Sequence, residues 1–99
     1  MEIIKQLNKQ ELTLKLIGEL NSYTAPEFEK VIKSDLYGIN SLILDFAELK
    51  YLSSAGLRII LVAQKIMSKQ GQMVLRHVNK DIREVFDITG FLNILEIED

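Results

Sequence analysis

The stretch DFAELKYLSSAGLRII, residues 45–60, decides how this chain is interpreted. It predicts the end of an apolar strand, a short loop, and then two serines and a glycine that open an apolar helix. Ser53 and Ser54 therefore fall where a helix has unpaired backbone N–H groups and the positive end of its dipole. A hydroxyl there can act as an N-cap, and the same position can hold a phosphate. The local pattern leaves a structural and a regulatory interpretation open.

The composition of the chain limits the kinds of protein to which it can belong. Ninety-nine residues with 47% hydrophobic and 26% charged side chains predict one globular domain over residues 1–99. A net charge of −2 argues against direct nucleic-acid binding, because such proteins usually carry a basic field. No cysteine is available for disulfides or thiolate metal sites, and we recognise no signal peptide and no apolar run of membrane-spanning length. We therefore expect a cytoplasmic protein without membrane insertion.

Hydrophobic periodicity divides the chain into alternating strands and helices. The predicted strands are Met1–Gln6, Glu11–Ile17, Ser41–Phe46, Gln72–Arg76 and a last strand or short element within Phe91–Ile97; the predicted helices are Thr24–Ser34, Ser53–Gln70 and Asn79–Phe86. Thr24 and Glu27 have the spacing of a capping box, and Gly71 is predicted to be the C-terminal cap of the second helix. This order predicts an α/β fold with a mixed, mostly parallel sheet of four or five strands and helices mainly on one face.

Residues typical of catalysis are few. His77 is the only histidine, and no nucleophile motif, phosphate loop or metal-ligand spacing accompanies it, so we interpret it as a surface or loop-packing residue. An enzyme that used Ser54 as its nucleophile would need a general base and an oxyanion hole, and no base is apparent. The sequence therefore predicts a protein that is not an enzyme, with no catalytic residue, metal site or cofactor.

The two serines have a structural and a regulatory interpretation, and each has a physical basis. In the structural interpretation, one serine caps the helix and the other is tolerated in a tight turn. In the regulatory interpretation, a phosphoserine adds roughly −1.5 to −2 charge, which the helix N-terminus accommodates and which repels a partner docked there. Leu57 and Leu61 are expected to be partly exposed for such docking.

Three segments together cover most of the chain: LTLKLIGELNSYTAPEFEKVI, LILDFAELKYLSSAGLRIIL and GQMVLRHVNKDIREVFDITGF. In their residues, order and spacing they resemble the STAS domain of the bacterial anti-sigma factor antagonists, also called anti-anti-sigma factors. The middle one is the most specific, since it has an apolar strand ending in Asp and then a serine-containing turn before Gly-Leu.

This resemblance implies a STAS fold and a phosphorylation switch that regulates transcription. The unphosphorylated form of such proteins binds an anti-sigma factor, often a serine kinase of the GHKL ATPase type, and a sigma factor is released. The kinase phosphorylates the turn serine, the complex dissociates, and a PP2C-type phosphatase restores the first state. Alignment on the Gly-Leu pair puts the phosphorylation site at Ser54, with Ser53 as the less favoured alternative.

Two positions differ from the family pattern. Several members have Asp where this chain has Ser53, and Asp after Gly-Glu-Leu where this chain has Asn21, which would change the kinase that is recognised. The resemblance also implies a partner-binding surface in which Gly56 is the small residue that lets a partner approach. Its members are Asn21, Ser22, Thr24, Ser53, Ala55, Gly56, Leu57 and Leu61. A STAS scaffold, or an accessory subunit of a signalling assembly or transporter, is the alternative function.

Overall fold

The computed structural model describes residues 1–98 and contains a five-stranded sheet with three α-helices. The strands are β1 (Glu2–Asn8), β2 (Glu11–Leu20), β3 (Ser41–Leu52), β4 (Gln72–Arg76) and β5 (Glu96–Glu98); the helices are α1 (Ala25–Asp35), α2 (Ser54–Met67) and α3 (Lys80–Thr89), followed by a 3₁₀ turn at Phe91–Asn93. No helix within residues 1–98 is long and apolar enough to cross a membrane.

The strands lie side by side in the order in which they occur along the chain. β1 and β2 form an antiparallel hairpin, and every later neighbouring pair is parallel. The predicted mixed, mostly parallel sheet is therefore confirmed. The parallel pairs bring the carboxyl ends of β2 and β3 together at one edge of the sheet, and this arrangement positions the two serines.

One hydrophobic core joins a single face of the sheet to all three helices. Strand residues that alternate along β2 and β3, such as Leu14 and Leu44, are fully buried in this core with helix residues such as Phe28, Ile60 and Phe86. Ile43 and Val74 point to the opposite face, since side chains alternate along a strand. They are buried but lie outside the core cluster. The helices thus cover one face, as predicted.

The third strand is twice as long as predicted. β3 continues through Leu52, and the loop expected before Ser53 does not form. The reason is tertiary: β2 also continues to Leu20, and the two strands stay paired to their ends, with register shifts after Lys15 and Gly18. The serines therefore follow a strand directly.

The helix caps were predicted with mixed success. Asn79 caps α3 as expected, because its Oδ1 accepts a hydrogen bond from the N–H of Ile82 at 2.9 Å. The predicted capping box at Thr24 is wrong, since its hydroxyl donates to the carbonyl of Glu19 at 2.8 Å and makes no cap bond. The predicted cap at Gly71 is also wrong: α2 ends at Met67, and a Cβ at Gly71 would overlap the carbonyl of Asn40. A glycine is needed at position 71 because the backbone there lies very close to the backbone of Asn40.

Candidate functional site

Ser53 is the N-cap of α2. Its backbone is extended, with φ −94° and ψ 172°, and its Oγ accepts a hydrogen bond from the N–H of Gly56 at 3.3 Å. Its N–H donates to the carbonyl of Leu20 at 2.9 Å, and its own carbonyl accepts from the N–H of Leu57 at 2.9 Å. The side chain is half-buried. The hydroxyl and the backbone of Ser53 are thus both used to join β2, β3 and the start of α2.

Ser54 differs from Ser53 in exposure and in hydrogen bonding. It is the first residue of α2 and its side chain is exposed. Within the part of the chain that the structure describes, its hydroxyl forms no hydrogen bond. The first turn of α2 contains no acidic side chain that would offset the positive end of the helix dipole. The exposed hydroxyl therefore stands in a position that favours negative charge.

The loop that connects β2 to α1 is held by its own polar side chains. The Oδ1 of Asn21 accepts hydrogen bonds from the N–H groups of Tyr23 at 2.9 Å and Thr24 at 3.1 Å. The hydroxyl of Thr24 accepts from the N–H of Asn21 at 2.9 Å and donates to Glu19. Asn21 therefore organises this loop, as an Asx turn does. Ser22 lies exposed within it.

The paired ends of β2 and β3 bring this loop beside the serines. Glu19 is in register with Tyr51, and Leu20 with Leu52, so the loop and the start of α2 leave the sheet from neighbouring positions. We call this surface the serine edge; it comprises residues 21–24, Tyr51, Ser53 and Ser54. Five of the eight residues implied by the resemblance contribute to it or adjoin it: Asn21, Ser22, Thr24, Ser53 and the half-buried Ala55.

The family of the chain follows from comparison with known proteins. The model of the STAS domain family matches residues 2–99. The chain belongs to the STAS domain family. BtrV of Bordetella bronchiseptica, which is named as an anti-sigma factor antagonist, is 39% identical to this STAS protein over 84 residues, and the match covers 83% of this chain and 72% of BtrV. The predicted assignment to the anti-sigma factor antagonists is confirmed.

Two solved structures share the fold of this STAS domain. A Thermotoga maritima protein described as an anti-sigma factor antagonist matches with a TM-score of 0.90 and 25% identity, over 98% of this chain and 86% of the other. The Bacillus cell fate determinant SpoIIAA in its phosphorylated form matches with a TM-score of 0.77 and 17% identity, over 99% of this chain and 92% of the other. The predicted STAS fold is confirmed.

The structure corrects the expectation for two residues of the proposed partner surface. A Cβ at Gly56 would lie 2.5 Å from the Cγ of Leu20, so the glycine lets α2 pack onto the strands and offers no surface to a partner. Leu57 is only 5% exposed and belongs to the core. Leu61 is half-buried against the same core. The predicted partial exposure is therefore wrong for Leu57, because the first turn of α2 lies over the paired strand ends, and it agrees with the structure for Leu61.

His77 has a partner that the sequence did not reveal. Its Nδ1 lies 2.8 Å from the Oδ1 of Asp45 on β3, beside the aligned pair Asp45 and Arg76. Partial burial alone would raise the pKa of Asp45, but the hydrogen bonds from His77 and from the N–H of Ala47 outweigh it, and the pKa lies below its usual value.

His77 contacts Asp45 and not Ser54, so these residues do not form a nucleophile and base. No group of three potential metal ligands occurs among residues 1–98.

Proposed function

We propose that this chain is a phosphorylation-switched antagonist of an anti-sigma factor. Unphosphorylated, it binds an anti-sigma factor that is a serine kinase and so releases a sigma factor. Phosphorylation on Ser54 ends this binding, and a PP2C-type phosphatase restores it. The chain acts by binding and not by catalysis, in the cytoplasm, where sigma factors work. Its relationship to BtrV supports the class of partner.

The observation that carries the proposal is the different use of the two hydroxyls. The hydroxyl of Ser53 accepts the cap bond from Gly56, whereas the hydroxyl of Ser54 is exposed and makes no hydrogen bond with the rest of residues 1–98. A kinase can reach Ser54 without breaking the cap. Arg58, also exposed, follows Ser54 by one helical turn and adds positive charge on the same side of α2. The fold can therefore accept a phosphate on Ser54 without rearrangement.

The same charge explains why one phosphate ends binding. A kinase that modifies Ser54 must bring its own surface against the serine edge, so the acceptor lies within the interface. A group of charge near −2 in that interface must lose its hydration, and it repels any carboxylate that faces it. The modified chain keeps its fold and loses its partner.

The test is binding to the GHKL-type anti-sigma factors of the host, each produced as a recombinant protein. We expect wild type and Ser54→Ala to bind one of them, and Ser54→Asp to bind it about 100-fold more weakly. Incubation with ATP should add one phosphate to wild type, which peptide mass spectrometry would map to Ser54, and none to Ser54→Ala.

Ser53→Asp is the matched control, because it adds the same charge one residue away and keeps an N-cap of good propensity. We expect Ser53→Asp to weaken binding much less than Ser54→Asp does, because the side chain of Ser53 is half-buried and directed at the N–H of Gly56. Equal affinity of Ser54→Asp and wild type, or a phosphate mapped to Ser53, would contradict the proposed switch. Binding to none of the anti-sigma factors would favour the scaffold or transporter-subunit alternative.

A further inference from the structure

The three tyrosines of the chain are exposed to different extents and lie at opposite ends of the sheet. Tyr23 is 91% exposed, Tyr51 is 51% exposed and Tyr37 is 98% exposed. None of their hydroxyls has a hydrogen-bond partner among residues 1–98. Exposed tyrosines that lie outside the core and whose hydroxyls have no intramolecular partner add little to the core, so their contribution must be sought elsewhere.

Tyr23 and Tyr51 both belong to the serine edge. Tyr51 is the last but one residue of β3 and lies in register with Glu19, two residues before Ser53. Tyr23 follows the end of β2 by three residues. Tyr37 instead precedes the first residue of β3, so it lies about 30 Å away along that strand. Two of the three tyrosines therefore lie at the same end of the sheet as Ser54.

Both side chains are presented by ordered backbone. The N–H of Tyr23 donates to Asn21, whose loop is further fixed by the hydroxyl of Thr24 on Glu19. Tyr51 is held in the paired part of β3. An aromatic side chain on fixed backbone has only two side-chain torsions to order, so its burial by a partner costs little conformational entropy. Tyrosine is accordingly among the residues that contribute most to protein interfaces.

We propose that Tyr23 and Tyr51 are the anchor residues through which the serine edge binds the anti-sigma factor, an inference that rests on the proposed function. The facing surface of the partner has apolar pockets for the two rings and hydrogen-bond acceptors for their hydroxyls. A partner that binds both rings covers this end of the sheet, and Ser54 lies at the same end. The affinity of the unphosphorylated state therefore comes mainly from these rings, and phosphorylation of Ser54 opposes the same contact.

The experiment compares three tyrosine variants in titration calorimetry against the anti-sigma factor that binds wild type. We expect Tyr23→Ala and Tyr51→Ala each to weaken binding about tenfold or more. Tyr37→Ala makes the same change at the other end of the sheet, and we expect it to stay within about twofold of wild type. Circular dichroism and melting temperature would verify folding, and Tyr51→Thr, which keeps a residue that favours strands, replaces Tyr51→Ala if that variant is unstable.

The outcomes separate this inference from the function on which it rests. If binding is abolished by Ser54→Asp while a tyrosine variant matches Tyr37→Ala, that tyrosine is not an anchor and the inference is overturned for it. If wild type binds no anti-sigma factor, the proposed function itself fails and the anchor role falls with it. Equal losses in all three variants would also overturn the inference, since the effect would not be local to the serine edge.

Discussion

The two ends of the parallel strands use their polar residues in opposite ways. At the end away from the serines, polar groups bind one another: the Nε2 of Gln70 donates to the carbonyls of Leu36 and Ile39, both at 2.6 Å. The N–H of Asn40 donates to the carbonyl of Gln10 at 3.0 Å. We call this surface the amide edge; it comprises Gln10, residues 36–40, Gln70 and Gly71.

The serine edge keeps polar groups available instead. Asn21 and Thr24 fix the loop, but the hydroxyl of Ser54 and the rings of Tyr23 and Tyr51 face solvent. Both edges are rich in turn-forming polar residues, so composition alone does not distinguish them. At the amide edge the amide groups are bonded to one another, although the hydroxyl of Tyr37 has no partner within residues 1–98, so this end contributes mainly stability. The serine edge, with an exposed serine hydroxyl and two exposed rings, is the end suited to binding.

The largest expected effect on stability is at the amide edge, with Gly71→Ala. The added methyl would overlap the carbonyl of Asn40, which is held because it also accepts a hydrogen bond from the N–H of Gln72 at 3.1 Å. We expect the free energy of unfolding to fall by about 3 kcal/mol. Urea denaturation would measure it.

Gly38→Ala is the control on the same edge. A Cβ at Gly38 meets open space, and only the positive φ of 77° is unfavourable. We expect a loss of about 1 kcal/mol. Equal losses of stability for the two variants would mean that the overlap with the carbonyl of Asn40 does not determine the cost of a side chain at position 71.

A smaller effect is expected at the serine edge, where the two serines can be compared directly. Ser53→Ala removes the acceptor for the N–H of Gly56, and we expect a loss of about 1 kcal/mol, as for other N-cap deletions. Ser54→Ala removes an exposed hydroxyl, and we expect a change within about 0.5 kcal/mol. Thermal denaturation of both variants would show the difference. A larger loss for Ser54→Ala would contradict the division of roles between them.

The smallest expected effect lies between the two edges, at Asp45 and His77. Because the folded-state pKa of Asp45 is lowered, its contribution to stability is present above the unfolded pKa and is lost as the pH falls through the folded pKa. We expect His77→Asn to move the pKa of Asp45 back toward its usual value, as followed by carboxyl NMR titration. Asn suits the left-handed backbone at this position, where φ is 60°. An unchanged pKa would show that the contact with His77 does not stabilise the carboxylate.

Short sequence patterns correctly predicted those elements whose ends depend only on residues close by in the chain. The strand Gln72–Arg76 was predicted with its observed bounds, and Asn79 caps α3 as expected. The alternation of apolar and polar side chains along a strand can be recognised within a few consecutive residues. The same holds for a capping side chain placed three residues before the N–H from which it accepts a hydrogen bond. Thr24 has an equally good local pattern, yet its hydroxyl bonds to Glu19, because the turn around Asn21 provides a competing partner.

The sequence by itself determined the α/β order, the family and the pair of serines at the start of α2, because each is encoded in short patterns and characteristic residues. Only the tertiary structure decided how these residues are used. Pairing with β2 extended β3 to Leu52, packing on Leu20 buried Gly56, and the cap bond made Ser53 structural while Ser54 stayed exposed. The physical reason is that exposure and hydrogen-bond partners depend on residues distant in the chain, and a local pattern does not contain them.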